Sequence, residues 1–457
     1  MKNTHRCLIT GFLLICALQT TASAQVSPQP EEIDYVLTSV ENMFAGSEIQ
    51  EIRHIELISV ESRRLVDDIY EFTFAFKVGE GEFDKIGIHW VTKKFWHKHK
   101  PLRKKKKDAL MMVPGASLDF RTNFLMSSQT QIAQDIPPNH SLAVYLAERN
   151  YDVWGIDFRY SFVPDNITID GTDVPYCYAT GCEFMQEWDM PMYIDDLRKA
   201  VIFARIVRSF VYGDHDKIYM LGHSDGAAFT YAYAGEYGNM HLKGIIPMDV
   251  AYKFDPAEEE LIDNACHEYK ITKKMIRKGI FYDDEAAVFK YIAVLAFQDP
   301  DVESEIIKGM TNKQALLLSL TATYMLDAYA PCYHIFTGNL SGLYYTDYNY
   351  TLDTIFSMDS FNSLNQIVEI YGIWCSDDIS EYDDHIADIN VPVLYVGAEG
   401  GFGVYGVYTT QLIEESGNDD VSSCIVPDYG HADLTYAYGA DDTAWSTIYD
   451  WLEEHNT

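Results

Sequence analysis

The sequence predicts an α/β protein with a mostly parallel central sheet and a helical segment inserted late in the chain. Three observations carry that expectation. From residue 108 onward, short apolar runs alternate with helix-length stretches, the pattern of successive strand–helix units. Residues 251–390 change texture, with helix formers and aromatics but few strand-like runs, and they are too many for a structureless loop inside a compact domain. A glycine-flanked serine at position 224 stands between one apolar run and the start of a helical stretch. Composition agrees: of 457 residues, 47% are hydrophobic and 23% charged, which is globular rather than disordered. The net charge of −35 would repel a phosphate backbone over most of the surface and argues against nucleic acid as partner.

The elements follow in order. Residues 70–76 (Tyr-Glu-Phe-Thr-Phe-Ala-Phe) alternate like a half-buried strand, the glycines at 79 and 81 make a turn, and residues 86–91 return. Residues 109–113 form a short apolar strand ending at Pro114-Gly115, and 142–149 read as a helix. Residues 151–156 are a strand, 192–211 a long helix, 217–221 a strand and 225 onward a helix. Residues 244–248, 393–397 and 422–426 are further strands, and 442–454 the last helix. Within the insertion, 258–268, 285–297 and 313–326 are helical.

Residues 1–24 have the order of a secretory signal: Lys2 and Arg6, an apolar core, then Ala22-Ser23-Ala24 before the expected cut. The core is too short for a comfortable membrane span. Six cysteines follow it, Cys177, Cys182, Cys266, Cys332, Cys375 and Cys424, and an even number in an exported chain favours disulfides. Cys177 and Cys182 bracket a loop-like Tyr-Ala-Thr-Gly and are the expected pair. Residues 25–107 lead into the sheet, and their last stretch, from Lys93 to Lys107, is basic without a single acid. A solvated loop is the plain reading, and a docking site for an anionic surface or partner the sharper one. Sequons begin at Asn139, Asn166, Asn339 and Asn349.

The chemistry centres on Gly222-His223-Ser224-Asp225-Gly226. A serine between a strand and a helix needs glycines on both sides for backbones to approach, and its oxygen then stands above the sheet. A hydroxyl needs a base, and His431, after the last strand, is the expected one. Two N–H donors must hold the oxyanion: the backbone of Asp225 and that of Ala116, in the loop after residues 109–113. No metal or organic cofactor is called for.

These residues resemble the α/β-hydrolase superfamily and, within it, the acid-lipase branch of gastric and lysosomal lipases. Asn139-His140-Ser141-Leu142, Trp188-Asp189-Met190-Pro191 and Tyr429-Gly430-His431-Ala432-Asp433-Leu434 look like that branch's motifs. The resemblance covers roughly 108–250 and 390–457, and implies a helical cap, here 251–390, between the family's sixth and seventh strands. It further implies an ester or lipid as substrate, cleaved through an acyl-enzyme.

The chain departs from the pattern twice. Pro114-Gly115 stands where the family has His-Gly. After residues 393–397, the usual Asp three residues past a glycine is Gly400. Three explanations compete: Asp249, at the end of the sixth strand, has taken over, which is the favoured one; Glu399 serves with a shifted loop; or the acid is missing and the protein only binds. A triad is defined by geometry rather than position, so relocation is allowed. An amidase or peptidase with the same triad is a further alternative. Asp157-Phe158-Arg159 reads as a structural ion pair, Asp433 as a support for the histidine loop, and Tyr344, Tyr345, Tyr348 and Tyr350 as either packing or pocket residues.

Overall fold

The computed structural model describes residues 55–94, 108–214, 216–321, 332–376 and 379–456, and the backbone of 96–97 and 100–101. The expected signal peptide at 1–24 and nearly all of the basic run lie outside the described residues.

Nine strands form the main sheet: β1 (Glu56–Val66), β2 (Ile69–Lys77), β3 (Lys85–Lys93), β4 (Ala109–Val113), β5 (Asp152–Asp157), β6 (Ile218–His223), β7 (Leu242–Met248), β8 (Val393–Ala398) and β9 (Val421–Val426). Their spatial order is β1-β2-β3-β5-β4-β6-β7-β8-β9. The β1–β2, β2–β3 and β3–β5 pairs are antiparallel. From β5 to β9 every pairing is parallel. Strand β1 was not expected, because neither of its faces is fully buried and its residues do not alternate cleanly.

The parallel strands read as continuous apolar runs because both faces are covered. In β4, Met111 and Val113 join one core layer with Trp154, Ile156 and Met220. Leu110 and Met112 join the other with Leu221, Ile246 and Val396. Helices α1 (Leu142–Glu148), α2 (Met190–Tyr212) and α3 (Asp225–His241) link the strands. Asp189 caps α2 by accepting from the Met192 N–H, and Gly213 ends it in the left-handed region.

Between β7 and β8 the chain runs through α4 (Glu259–Ile276), α5 (Glu285–Gln298), α6 (Asn312–Thr321), α7 (Tyr348–Ser357) and α8 (Leu364–Cys375). Helices α7 and α8 were not among those expected. Cys266 and Cys375 are at disulfide distance and join α4 to α8; Cys177 and Cys182 form the second pair. Cys332 and Cys424 are unpaired. Among the described residues no helix is long and apolar enough to cross a membrane.

Asp157 and Arg159 do not pair with each other. Asp157 meets the His89 ring and the Phe120 N–H, while Arg159 bonds Asp196 and Asp84. Asp157 turns toward β3 and Arg159 toward α2, which separates them.

Candidate active site

Ser224 stands where β6 turns into α3, with φ 59° and ψ −126°, a conformation that costs a non-glycine residue energy and persists only when its surroundings impose it. They do so through packing. A Cβ on Gly222 would lie 2.0 Å from the Gly226 carbonyl oxygen, and one on Gly226 would lie 2.1 Å from that of Val113. The Ser224 N–H donates to the Met248 carbonyl at 3.0 Å, so the bend is held from the β7 side as well. Asp225 opens α3, and its N–H is therefore among the donors that no intrahelical carbonyl reaches.

Asp249 follows β7 with φ 46° and is fully buried. Its Oδ2 lies 2.7 Å from His431 Nδ1. The carboxylate is also held by three backbone N–H groups from the end of β8 and the loop after it: Ala398 at 2.8 Å, Phe402 at 3.1 Å and Gly403 at 2.9 Å. Burial alone would raise this carboxyl; the hydrogen bond and charge of His431, with the Ala398 and Gly403 N–H groups, outweigh it and hold it below the usual aspartate value. Gly401 makes the approach feasible, since a Cβ there would be 1.9 Å from Asp249 Oδ2.

Glu399 does not reach the histidine. It is exposed and accepts the Asp428 N–H at 2.8 Å. A side chain at position 400 would have to displace its neighbours: a Cβ there would be 2.8 Å from Ile335 Cδ1, 3.1 Å from the Tyr429 carbonyl oxygen and 3.2 Å from Cys332 Sγ.

His431 is buried, and its backbone is clamped by the insertion, with its N–H on the Cys332 carbonyl and that of Ala432 on the Tyr333 carbonyl, both at 2.8 Å. Asp433 accepts the Gly430 N–H at 2.9 Å and bonds His334 Nδ1 at 2.8 Å, tying the histidine loop to the insertion. The His223 ring stacks on His431 with centroids 4.5 Å apart.

Of the six expected site residues, Ala116, Ser224, Asp225 and His431 border a cavity of about 170 Å³, and Asp249 and Glu399 do not. Much of the rest of its wall comes from the insertion, with Phe289 on α5, Leu320 on α6, Ile355 on α7 and Tyr371 and Trp374 on α8. Tyr344, Tyr345, Tyr348 and Tyr350 are not in that wall. Tyr350 is buried against Tyr436, Tyr345 packs on Tyr429, and Tyr344 is exposed. Two carboxyls border the cavity on its insertion side. Burial and the charges of Asp284 and Asp225 raise Asp283 to about 6. Glu285 is exposed as a residue, yet desolvation of its carboxyl and the charges of Asp283 and Asp225 raise it to about 7.

Sequence reasoning missed Asn123 and Gly401. Asn123 Oδ1 accepts the Gly115 N–H at 2.9 Å, beneath the loop that carries Ala116. Neither residue sits in a recognisable motif; the one local signal is the Gly400-Gly401 pair where a carboxylate was expected.

No protein-family model matches the sequence, and neither does any curated protein. Solved structures do match. A protein from Sulfolobus solfataricus, provisionally assigned as a lipase, aligns with a TM-score of 0.58 and 18% identity over 88% of this chain and 99% of its own. A soluble variant of monoglyceride lipase from Saccharomyces cerevisiae aligns at TM-score 0.41 and 13% identity, over 82% of this chain and 92% of its own. A thermophilic esterase from Thermogutta terrifontis aligns at 0.40 and 14%, over 83% and 97%. The chain has the α/β-hydrolase fold, with a large, mostly parallel sheet between flanking helices.

Proposed function

We propose that the protein is an exported serine hydrolase that cleaves carboxylic esters with an apolar acyl or alcohol part. The observation that carries this reading is the Asp249–His431 hydrogen bond of 2.7 Å at the edge of the cavity that also holds Ser224. Asp249 fixes the Nδ1–H tautomer of His431, so Nε2 is the nitrogen that takes the Ser224 proton. The serine attacks the ester carbonyl, and the backbone N–H groups of Ala116 and Asp225 receive the oxyanion. His431 then protonates the leaving alcohol, and water releases the acid from the acyl-enzyme by the same steps.

The apolar wall supplied by α5 to α8 supports an apolar substrate and a role for residues 251–390 as a cap. The motifs around His140, Trp188 and His431 support the finer assignment to an acid-lipase-like esterase. Two cysteine pairs at disulfide distance support an oxidising compartment.

Fluorophosphonate labelling followed by peptide mapping tests the site. Modification at Ser224 is expected, with its loss in Ser224→Ala; modification elsewhere overturns the assignment. Turnover of a short-chain chromogenic ester by wild type but not Ser224→Ala separates an enzyme from a binding module. A matched amide turned over as fast as the ester would favour an amidase.

A further inference from the structure

Three hydrogen bonds run in series from the loop expected to hold the oxyanion to the loop that carries the catalytic histidine. The Gly115 N–H donates to Asn123 Oδ1 at 2.9 Å. Asn123 Nδ2 lies 3.2 Å from His223 Nδ1. His223 Nε2 lies 3.1 Å from the backbone carbonyl of His431. Asn123 and His223 are both buried, at 1% and 2% exposure, so bulk water does not compete for either partner.

The ends of the series decide every proton between them. A backbone N–H can only donate, so the atom of Asn123 facing Gly115 is its oxygen, and the amide nitrogen faces His223. That nitrogen can only donate, so His223 Nδ1 must accept and carries no proton. The carbonyl of His431 can only accept, so His223 Nε2 must donate. One arrangement satisfies all three contacts: a neutral His223 in its Nε2–H form.

We infer that Asn123 and His223 form a positioning bridge that locks the Gly115–Ala116 loop to the His431 loop and keeps an uncharged imidazole stacked on the catalytic one. The inference rests on the hydrolase reading, because it assigns the bridge a task in that reaction. When His431 takes the serine proton it becomes a cation. A second cation 4.5 Å away would oppose that step, whereas a neutral ring does not. The groups that face His223 agree with this. Burial acts first, and the charge of His431 second, to lower His223 to about 3, against smaller opposing contributions from the His431 carbonyl and Asp249. Tyr436, next to Asn123, is held uncharged by burial.

Two readouts on the intact protein test the bridge. In histidine-labelled protein, nitrogen NMR reads the His223 tautomer directly, with the resonance assigned by its loss in His223→Gln. The neutral Nε2–H form is expected down to pH about 5. An imidazolium or an Nδ1–H form at neutral pH overturns the bridge. Asn123→Asp replaces the donor facing Nδ1 with an acceptor, and should draw His223 protonation up into the range of about pH 5–8; an unchanged titration overturns the bridge. The second readout is the pH profile of fluorophosphonate labelling at Ser224. His223→Phe keeps the stack but loses both hydrogen bonds and should label roughly tenfold more slowly with a displaced profile. His223→Gln can accept from Asn123 and donate to His431, and should recover to within about threefold. A folded His223→Phe with wild-type rate and profile overturns the proposal. If wild-type Ser224 never labels, the hydrolase reading fails, and the tautomer still decides the bridge.

Discussion

The chain leaves β7 and β8 side by side, and the two exits differ in almost every respect. After β7, Asp249 is fully buried, has a positive φ and is bonded by His431 and three backbone N–H groups. After β8, Glu399 is exposed and bonds one N–H, while Gly400 and Gly401 follow. The exits are not independent. All three N–H groups that hold Asp249 come from the β8 exit, at Ala398, Phe402 and Gly403. The place where the resembling family keeps its acid has here become the cradle for an acid on the neighbouring strand. That arrangement needs a residue without a side chain at 401, and it leaves the space beside position 400 to Ile335 and Cys332.

The largest expected effect breaks this comparison outright. Asp249→Asn keeps the shape but presents the wrong hydrogen-bonding pattern to His431, and kcat for a chromogenic ester should fall by about 10³–10⁴-fold. Glu399→Gln removes only a surface contact and should stay within about twofold. A Glu399→Gln variant crippled to the same degree would assign the acid to the other exit.

Gly401→Ala comes next. The added methyl would overlap Asp249 Oδ2, the atom bonded to His431, so the carboxylate must shift. A displacement of about 1 Å near the chemistry costs on the order of 10²-fold in rate. The expected signature is a lower kcat with little change in KM and a cooperative thermal melt close to wild type. Wild-type kcat in a folded Gly401→Ala would mean that the cradle is not tight.

The same two exits show what could be read in advance. The elbow around Ser224 was legible because its demands are local: two glycines, a preceding apolar run and a following helix. His431 was legible from its place after the last strand. Asp249 could be named only as one of three outcomes, because the N–H groups that favour it lie some 150 positions away in the chain. The insertion was legible as helical through its composition, but not in detail. Helices α7 and α8, which build much of the cavity wall, were missed, and of the two roles open to the tyrosines at 344–350, packing or pocket, they do not take the second. Which face of a helix meets a cavity is set by tertiary packing, and composition carries no record of it.

The smallest effect extends the comparison across the cavity, from the sheet side to the insertion side. Asp249 is depressed by its partners and stays charged throughout the neutral range, whereas Asp283 and Glu285 are raised to about 6 and about 7. A raised carboxyl is protonated below its own pKa and charged above it. Between about pH 5 and 8 the insertion wall therefore gains negative charge while Asp249 does not change. KM for an ester carrying a carboxylate should rise over this window by roughly 5- to 10-fold relative to a neutral ester of equal length, the cost of like charges in a poorly solvated site. Asp283→Asn removes one of the two titrating groups and should roughly halve that rise on a logarithmic scale, with kcat for the neutral ester unaffected. Equal pH profiles for the two esters would show that these carboxyls do not face the bound substrate.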